Sequence, residues 1–129
     1  MSNRLPRILI ADDEPDHRML LILHLPSDKV RVVEACDGAQ AIQRYIVARA
    51  IGDPYDLVIL DGVMPEKNGF QVAEEIRQGD DEVKIAFLTA DHTGVAPMRA
   101  SLIHSVAFWR KPIEGAAVAK EIMQLVGAA

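Results

Sequence analysis

The sequence predicts an α/β fold, one parallel five-stranded sheet with helices on both faces, and three observations carry that prediction. Five short β-rich runs alternate with helix-spaced stretches along the chain, so each return to a parallel strand is made through a crossover. The third run, Leu57-Val58-Ile59-Leu60, is apolar without alternation, as in a strand buried on both faces. Four of the runs end on polar residues, Asp12-Asp13, Asp61, Thr89 and Arg110-Lys111, at the sheet edge where open α/β folds bind ligands.

Residues 7–11 form the first strand, stopped by its acidic tip. Pro15 suits a first helical turn, and a helix is expected over 16–25 with Met19, Leu20, Leu23 and Leu25 on its apolar face; Leu21 and Ile22 widen that face and are read as packing. The second strand covers 30–35. Asp37 caps a helix over 38–50, in which Ala41, Ile42, Tyr45, Ile46 and Arg49 recur at helical spacing. After the strand that ends on Asp61, Pro65 breaks the chain and Asn68 caps a helix over 69–78. The fourth strand covers 83–88. Gly94 and Pro97 oppose helix, so the fourth helix is expected only over 97–103. In the fifth strand, 106–109, Trp109 faces away from Phe108 and into a core. The last helix covers 114–126, with Val118, Ile122 and Leu125 in register.

With 129 residues, half of them apolar and 26% charged, the chain is sized for a single globular domain over 1–129, its core over about 6–126, with no output domain. A net charge of -5 argues against direct nucleic-acid binding. Cys36 is the lone cysteine, so an internal disulfide or a cysteine-rich metal site is excluded. The apolar run behind Arg4 and Arg7 is too short for a signal peptide, and no run is long enough to cross a membrane, which makes a cytoplasmic protein the default expectation.

Parallel strands bring Asp12, Asp13, Asp61, Thr89 and Lys111 to one edge. Three crowded carboxylates repel unless protonated or bridged by a cation, and an oxygen-only set suits magnesium. A phosphoryl group is the natural further party, held by the metal, Thr89 and Lys111 while Asp61 attacks as a carboxylate nucleophile. His17, His24, His92 and His104 lack metal-ligand spacing and are expected to face solvent.

Asp12-Asp13, Asp61-Gly62-Val63-Met64-Pro65 with Gly69, Thr89-Ala90 and Lys111-Pro112 resemble the motif set of response-regulator receiver domains of two-component signalling. The resemblance implies a flavodoxin-like three-layer α/β/α sandwich with strand order 2-1-3-4-5, and a stand-alone receiver. It also implies site roles: Asp61 as phosphoacceptor, Asp13 as a direct Mg2+ ligand, Asp12 as a ligand acting through water, and the Val63 backbone carbonyl as a further metal contact. Thr89 would close on the phosphoryl group, Lys111 would be its counter-charge, Phe108 the aromatic switch, and Lys111-Pro112 a cis bond. Two features depart from the pattern. His104-Ser105 replaces the usual Gly-Ala pair and removes a glycine helix cap, and Phe108 lacks the hydroxyl of the commoner tyrosine.

The expected function is a switch that takes a phosphoryl group from a histidine kinase's phosphohistidine and changes protein-partner binding, as a monomer or a phosphorylation-dependent dimer. Its only catalysis would be of its own phosphorylation and dephosphorylation. One alternative is a phosphorelay intermediate serving a histidine phosphotransfer protein; another is a protein-binding module independent of phosphorylation. An aspartyl-phosphate phosphatase of the haloacid-dehalogenase kind is disfavoured, because Val63 stands where such enzymes carry a second aspartate. Self-hydrolysis of the phosphorylated form is expected to be slow, since Val63 offers no group to orient water, whereas Asp91 is a candidate for that role.

Overall fold

Each apolar run becomes a strand in the computed structural model, which describes residues 4–90 and 95–128. The order along the chain is β1 (Arg7–Ala11), α1 (Pro15–Ile22), β2 (Arg31–Ala35), α2 (Gly38–Ala50), β3 (Leu57–Asp61), α3 (Gly69–Arg77), β4 (Lys84–Thr89), α4 (Val95–Leu102), β5 (Ala107–Arg110) and α5 (Gly115–Leu125). The strands form one sheet in the order β2-β1-β3-β4-β5, and all of its pairings are parallel. All five residues of β3 are buried, as its unbroken apolar composition requires of the central strand.

The period-two alternation of β3 divides the core between the two faces of the sheet. Val58 and Leu60 join Leu9, Phe87, Tyr45 and Phe70 on one side; Leu57 and Ile59 join Ile8, Ile10, Trp109 and Ile122 on the other. Phe108 packs against the first cluster and Trp109 within the second, so the two aromatics face opposite sides as their adjacency dictates.

Side chains cap three of the helices. Asp37 accepts from the Gln40 N–H at 2.7 Å and Glu114 from the Ala117 N–H at 2.7 Å. Asn68 and Gln71 form a reciprocal capping box. Gly69 then brings α3 against the end of β3: a Cβ at that position would lie 2.2 Å from the Asp61 carbonyl oxygen.

Two sequence expectations need correction. Helix α1 ends at Ile22, and its buried side chains are Leu21 on the helix and Leu25 in the turn beyond, while Met19, Leu20 and Leu23 are exposed. The start at Pro15 sets the register, and the sheet takes Leu21. Helix α4 begins two residues before Pro97, which therefore falls in its first turn, where the missing N–H costs no helical bond. Asp91, His92 and Gly94, on which other expectations rested, lie outside the described residues.

The absent glycine cap of α4 is replaced by a histidine. His104 sits at φ 60°. Its N–H donates to the Ser101 carbonyl at 3.1 Å, and that of Ser105 to the Ala100 carbonyl at 3.1 Å, the two bonds of a Schellman ending. A left-handed backbone costs a residue with a Cβ about 1–2 kcal/mol, partly offset by the lower unfolded-state entropy of histidine relative to glycine. His104→Gly should therefore raise stability by up to about 1 kcal/mol in urea denaturation; a loss of stability would show that the histidine contributes more than its backbone shape.

Candidate functional site

The register of the sheet assembles the site. Ala11 pairs with Leu60, Asp61 with Leu88 and Thr89 with Arg110, so the residues at and just beyond these strand ends share one edge. Asp12, just past β1, and Asp61, the last residue of β3, are buried carboxylates; Thr89, the last of β4, is fully buried, and Asp13 is exposed. Asp13, Asp61, Val63, Thr89 and Lys111 line one pocket of about 500 Å³, with Gly62 and Phe70 among its walls. A Cβ on Gly62 would approach both Thr89 Oγ1 and the Phe70 ring to 2.9 Å, so a side chain there would displace one of them.

Lys111 ties the cluster together. Its Nζ donates to Asp12 Oδ2 at 2.8 Å and to Asp61 Oδ2 at 3.1 Å. The Lys111-Pro112 bond is cis, as the resemblance implied. The other oxygen of Asp61 accepts the Val63 N–H at 3.0 Å, and the other oxygen of Asp12 accepts the Glu14 N–H at 2.9 Å.

Burial pushes the Asp61 carboxyl up to about 6, helped by the neighbouring Asp12 charge and opposed by the Val63 amide and Lys111. Burial works to lower Lys111, but Asp12 and Asp61 outweigh it and hold the ammonium above its usual value. Among the described residues Lys111 is the cation that bonds to Asp12 and Asp61, and set against three carboxylates it leaves an electrostatic deficit. Asp12, Asp13 and Asp61 each offer an oxygen within 4.8 Å of the others, an all-oxygen set that could hold a hard divalent ion. Among the described residues, the structure brings the sequence-derived site residues Asp12, Asp13, Asp61, Val63, Thr89 and Lys111 to this edge, while Phe108 lies half-buried on β5 with the Arg110 guanidinium 5.7 Å from its ring centre.

His17 was expected in solvent and is instead part of the site. Its Nδ1 lies 2.7 Å from Lys111 Nζ, and its Nε2 lies 3.1 Å from Glu14 Oε2. The available signal was Pro15: a helix that starts there carries the residue one turn past Asp13 back over the strand tip. Arg99 was also missed; it lines the pocket from α4 and lies 4.6 Å over the Phe70 ring. Nothing in the sequence marked it, since a single arginine within the expected 97–103 helix carries no motif.

The profile of the response regulator receiver domain family matches residues 8–123. Sensor histidine kinase GacS of Pseudomonas protegens is 34% identical across the whole of this chain, which spans 14% of that protein. Sensor protein EvgS of Escherichia coli K12 is 38% identical over 65% of this chain, a match that spans 7% of that protein. Among solved structures, response regulator TrrA of Thermotoga maritima, in complex with Mg(2+)-BeF, is 30% identical with a TM-score of 0.78, covering 94% of this chain and 99% of that one. The chain therefore spans a small share of the length of these two sensor proteins, and its match covers nearly all of the TrrA chain.

The raised Asp61 carboxyl predicts a pH-dependent penalty in the metal-free protein. The folded state holds this proton to about pH 6 while the unfolded chain releases it near 3.8, so stability falls as pH rises between those values and stays lowered above them. In a chelator, Asp61→Asn should be more stable than the parent by on the order of 2 kcal/mol above about pH 6, with the gain vanishing below about pH 4. Equal stability at pH 7.5 would contradict this account.

Proposed function

The chain belongs to the response regulator receiver domain family, and on that premise we propose that it is a signalling switch whose Asp61 accepts a phosphoryl group from the phosphohistidine of a sensor histidine kinase. The observation that carries the reading is the convergence of Asp12, Asp13, Asp61, Thr89 and Lys111 on one sheet edge, with Asp61 buried and its backbone clamped by Gly69.

An Asp61 oxygen attacks phosphorus; the P–O bond forms as the P–N bond of the donor breaks, and the departing imidazole keeps the electron pair and takes a proton from solvent. The Val63 N–H holds one Asp61 oxygen, which leaves the other to be released by Lys111 for attack. Lys111 then donates to a phosphoryl oxygen, and the Thr89 hydroxyl closes on another. Asp12, Asp13, Asp61 and the Val63 carbonyl would hold Mg2+. That ion supplies charge neutralisation for the carboxylates and the phosphoryl oxygens; the Mg(2+)-BeF complex of TrrA supports the choice of metal.

As Thr89 moves, Phe108 on the next strand repacks and alters the face read by a downstream protein. With no hydroxyl, this switch acts through ring packing alone. The likeness to sensor kinases favours a second reading, a relay step in which the group passes from Asp61 to a histidine phosphotransfer protein. Phosphoryl transfer onward to such a protein distinguishes it. In both readings the protein acts on its own aspartate and turns over no separate substrate.

Incubation with acetyl phosphate and Mg2+ should add one phosphoryl group to the protein, detected by intact mass, and none to Asp61→Asn or in the presence of a chelator. An unmodified parent protein would overturn the reading. Val63 is 62% exposed and apolar, so it presents no water-orienting group at the mouth of the site. The acyl phosphate should accordingly persist for minutes or longer, and a lifetime of seconds would place a hydrolytic group in the site.

A further inference from the structure

The function proposed above uses two of the three protons of the Lys111 ammonium. The third has a destination that the function leaves unassigned. Lys111 Nζ lies 2.7 Å from His17 Nδ1, the shortest of its three contacts, the others being Asp12 Oδ2 at 2.8 Å and Asp61 Oδ2 at 3.1 Å. We propose that His17 is a positioning residue for Lys111, accepting its third proton and so steering the ammonium onto the phosphoryl group as Asp61 is modified. This inference rests on the reading of Asp61 as the phosphoacceptor.

An ammonium has three donors and no lone pair, so Lys111 donates and Nδ1 is the acceptor. That fixes the tautomer: the ring proton sits on Nε2, which lies 3.1 Å from Glu14 Oε2. Glu14 is held in turn, its N–H donating to Asp12 Oδ1 at 2.9 Å. Asp12, Lys111, His17 and Glu14 therefore sit in one cluster that joins the tip of β1 to the start of α1, segments adjacent in the chain.

The three acceptors of Lys111 differ in one respect. Asp12 and Asp61 are candidate ligands of the cation, whereas His17 is not among the clustered carboxylates. When the carboxylate oxygens are committed elsewhere, the imidazole is the acceptor that still holds the ammonium. On the side of His17 the described residues that line the pocket with the lysine, Leu20, Leu88, Pro112 and Ile113, are apolar. Without an acceptor at position 17, the four-carbon stem is free to change rotamer, and the charge reaches the phosphoryl oxygens at the cost of ordering it.

Two variants of the full chain test this. His17→Phe keeps the ring and removes the acceptor; His17→Asn keeps an acceptor at the position of Nδ1. With acetyl phosphate and saturating Mg2+, the phosphorylation rate constant of His17→Phe should fall by about tenfold, and that of His17→Asn should stay within about threefold of the parent. A His17→Phe rate equal to the parent, or a His17→Asn rate as low as that of His17→Phe, would overturn the proposal. The parent protein, metal-free and at mildly alkaline pH, gives a second readout: 15N NMR should show His17 as the Nε2–H tautomer, and the Nδ1–H tautomer would overturn it. If the parent is not phosphorylated at all, the phosphoacceptor reading fails and the steering role with it, while the tautomer still reports whether Lys111 donates to His17.

Discussion

The site is built on one ammonium placed between two buried carboxylates. Asp12 and Asp61 end neighbouring central strands, and without a counter-charge their proximity would work against the sheet register that brings them together. Lys111 reaches over from β5, two strands away from β3, and bonds to both. Its reach depends on the rest of the fold: on β4 lying between β3 and β5, on the turn at Lys111-Pro112, and on α1 starting at Pro15 so that His17 meets the lysine from the far side. The arrangement is incomplete as electrostatics. Burial still raises Asp61, and that residual cost is what a divalent cation would relieve.

Much of the fold was legible because its signals are local. An apolar run without alternation, bounded by turn residues, reads as a central strand in a sheet covered on both faces, and β3 is that strand. Asp37 and Asn68 precede helices that begin at the next residue, since a short oxygen-bearing side chain satisfies an otherwise orphan N–H. The site was legible for a related reason. In a parallel sheet, strand ends converge, so the tips of β1, β3, β4 and β5 name the residues of the pocket before any side chain is placed.

What escaped the sequence depends on rotation and on distant contacts. The face that α1 buries could not be read from composition, because its run of Met19, Leu20, Leu21, Ile22 and Leu23 offers apolar residues in every direction. Only the phase set at Pro15 selects Leu21 for the core and turns His17 to the site. The start of helix α4 is not legible in the sequence, because Pro97 reads as a breaker and His104-Ser105 as an absent cap. A proline in the first turn and a histidine in the left-handed region both serve, at a cost the sequence does not display. Arg99 lies within the expected helix, but only the packing of α4 brings it to the wall of the pocket, where it adds a second cation.

The missing side chain of Gly69 has a mechanical consequence. Helix α3 abuts the carbonyl of Asp61, and Gly38 at the head of α2 would set a Cβ 2.4 Å from the Lys67 carbonyl oxygen in the loop that leads into α3. Along this path from strand to helix to helix, backbone bears on backbone with no compressible side chain between. A load applied at Asp61 therefore meets a stiff block on the side of α2 and α3. On the opposite flank, Thr89 and the half-buried Phe108 sit on successive strands, and Phe108 meets the core through its side chain. Stiffness on one side makes the other the compliant direction, so the geometry of two glycines biases where a disturbance at the nucleophile is taken up.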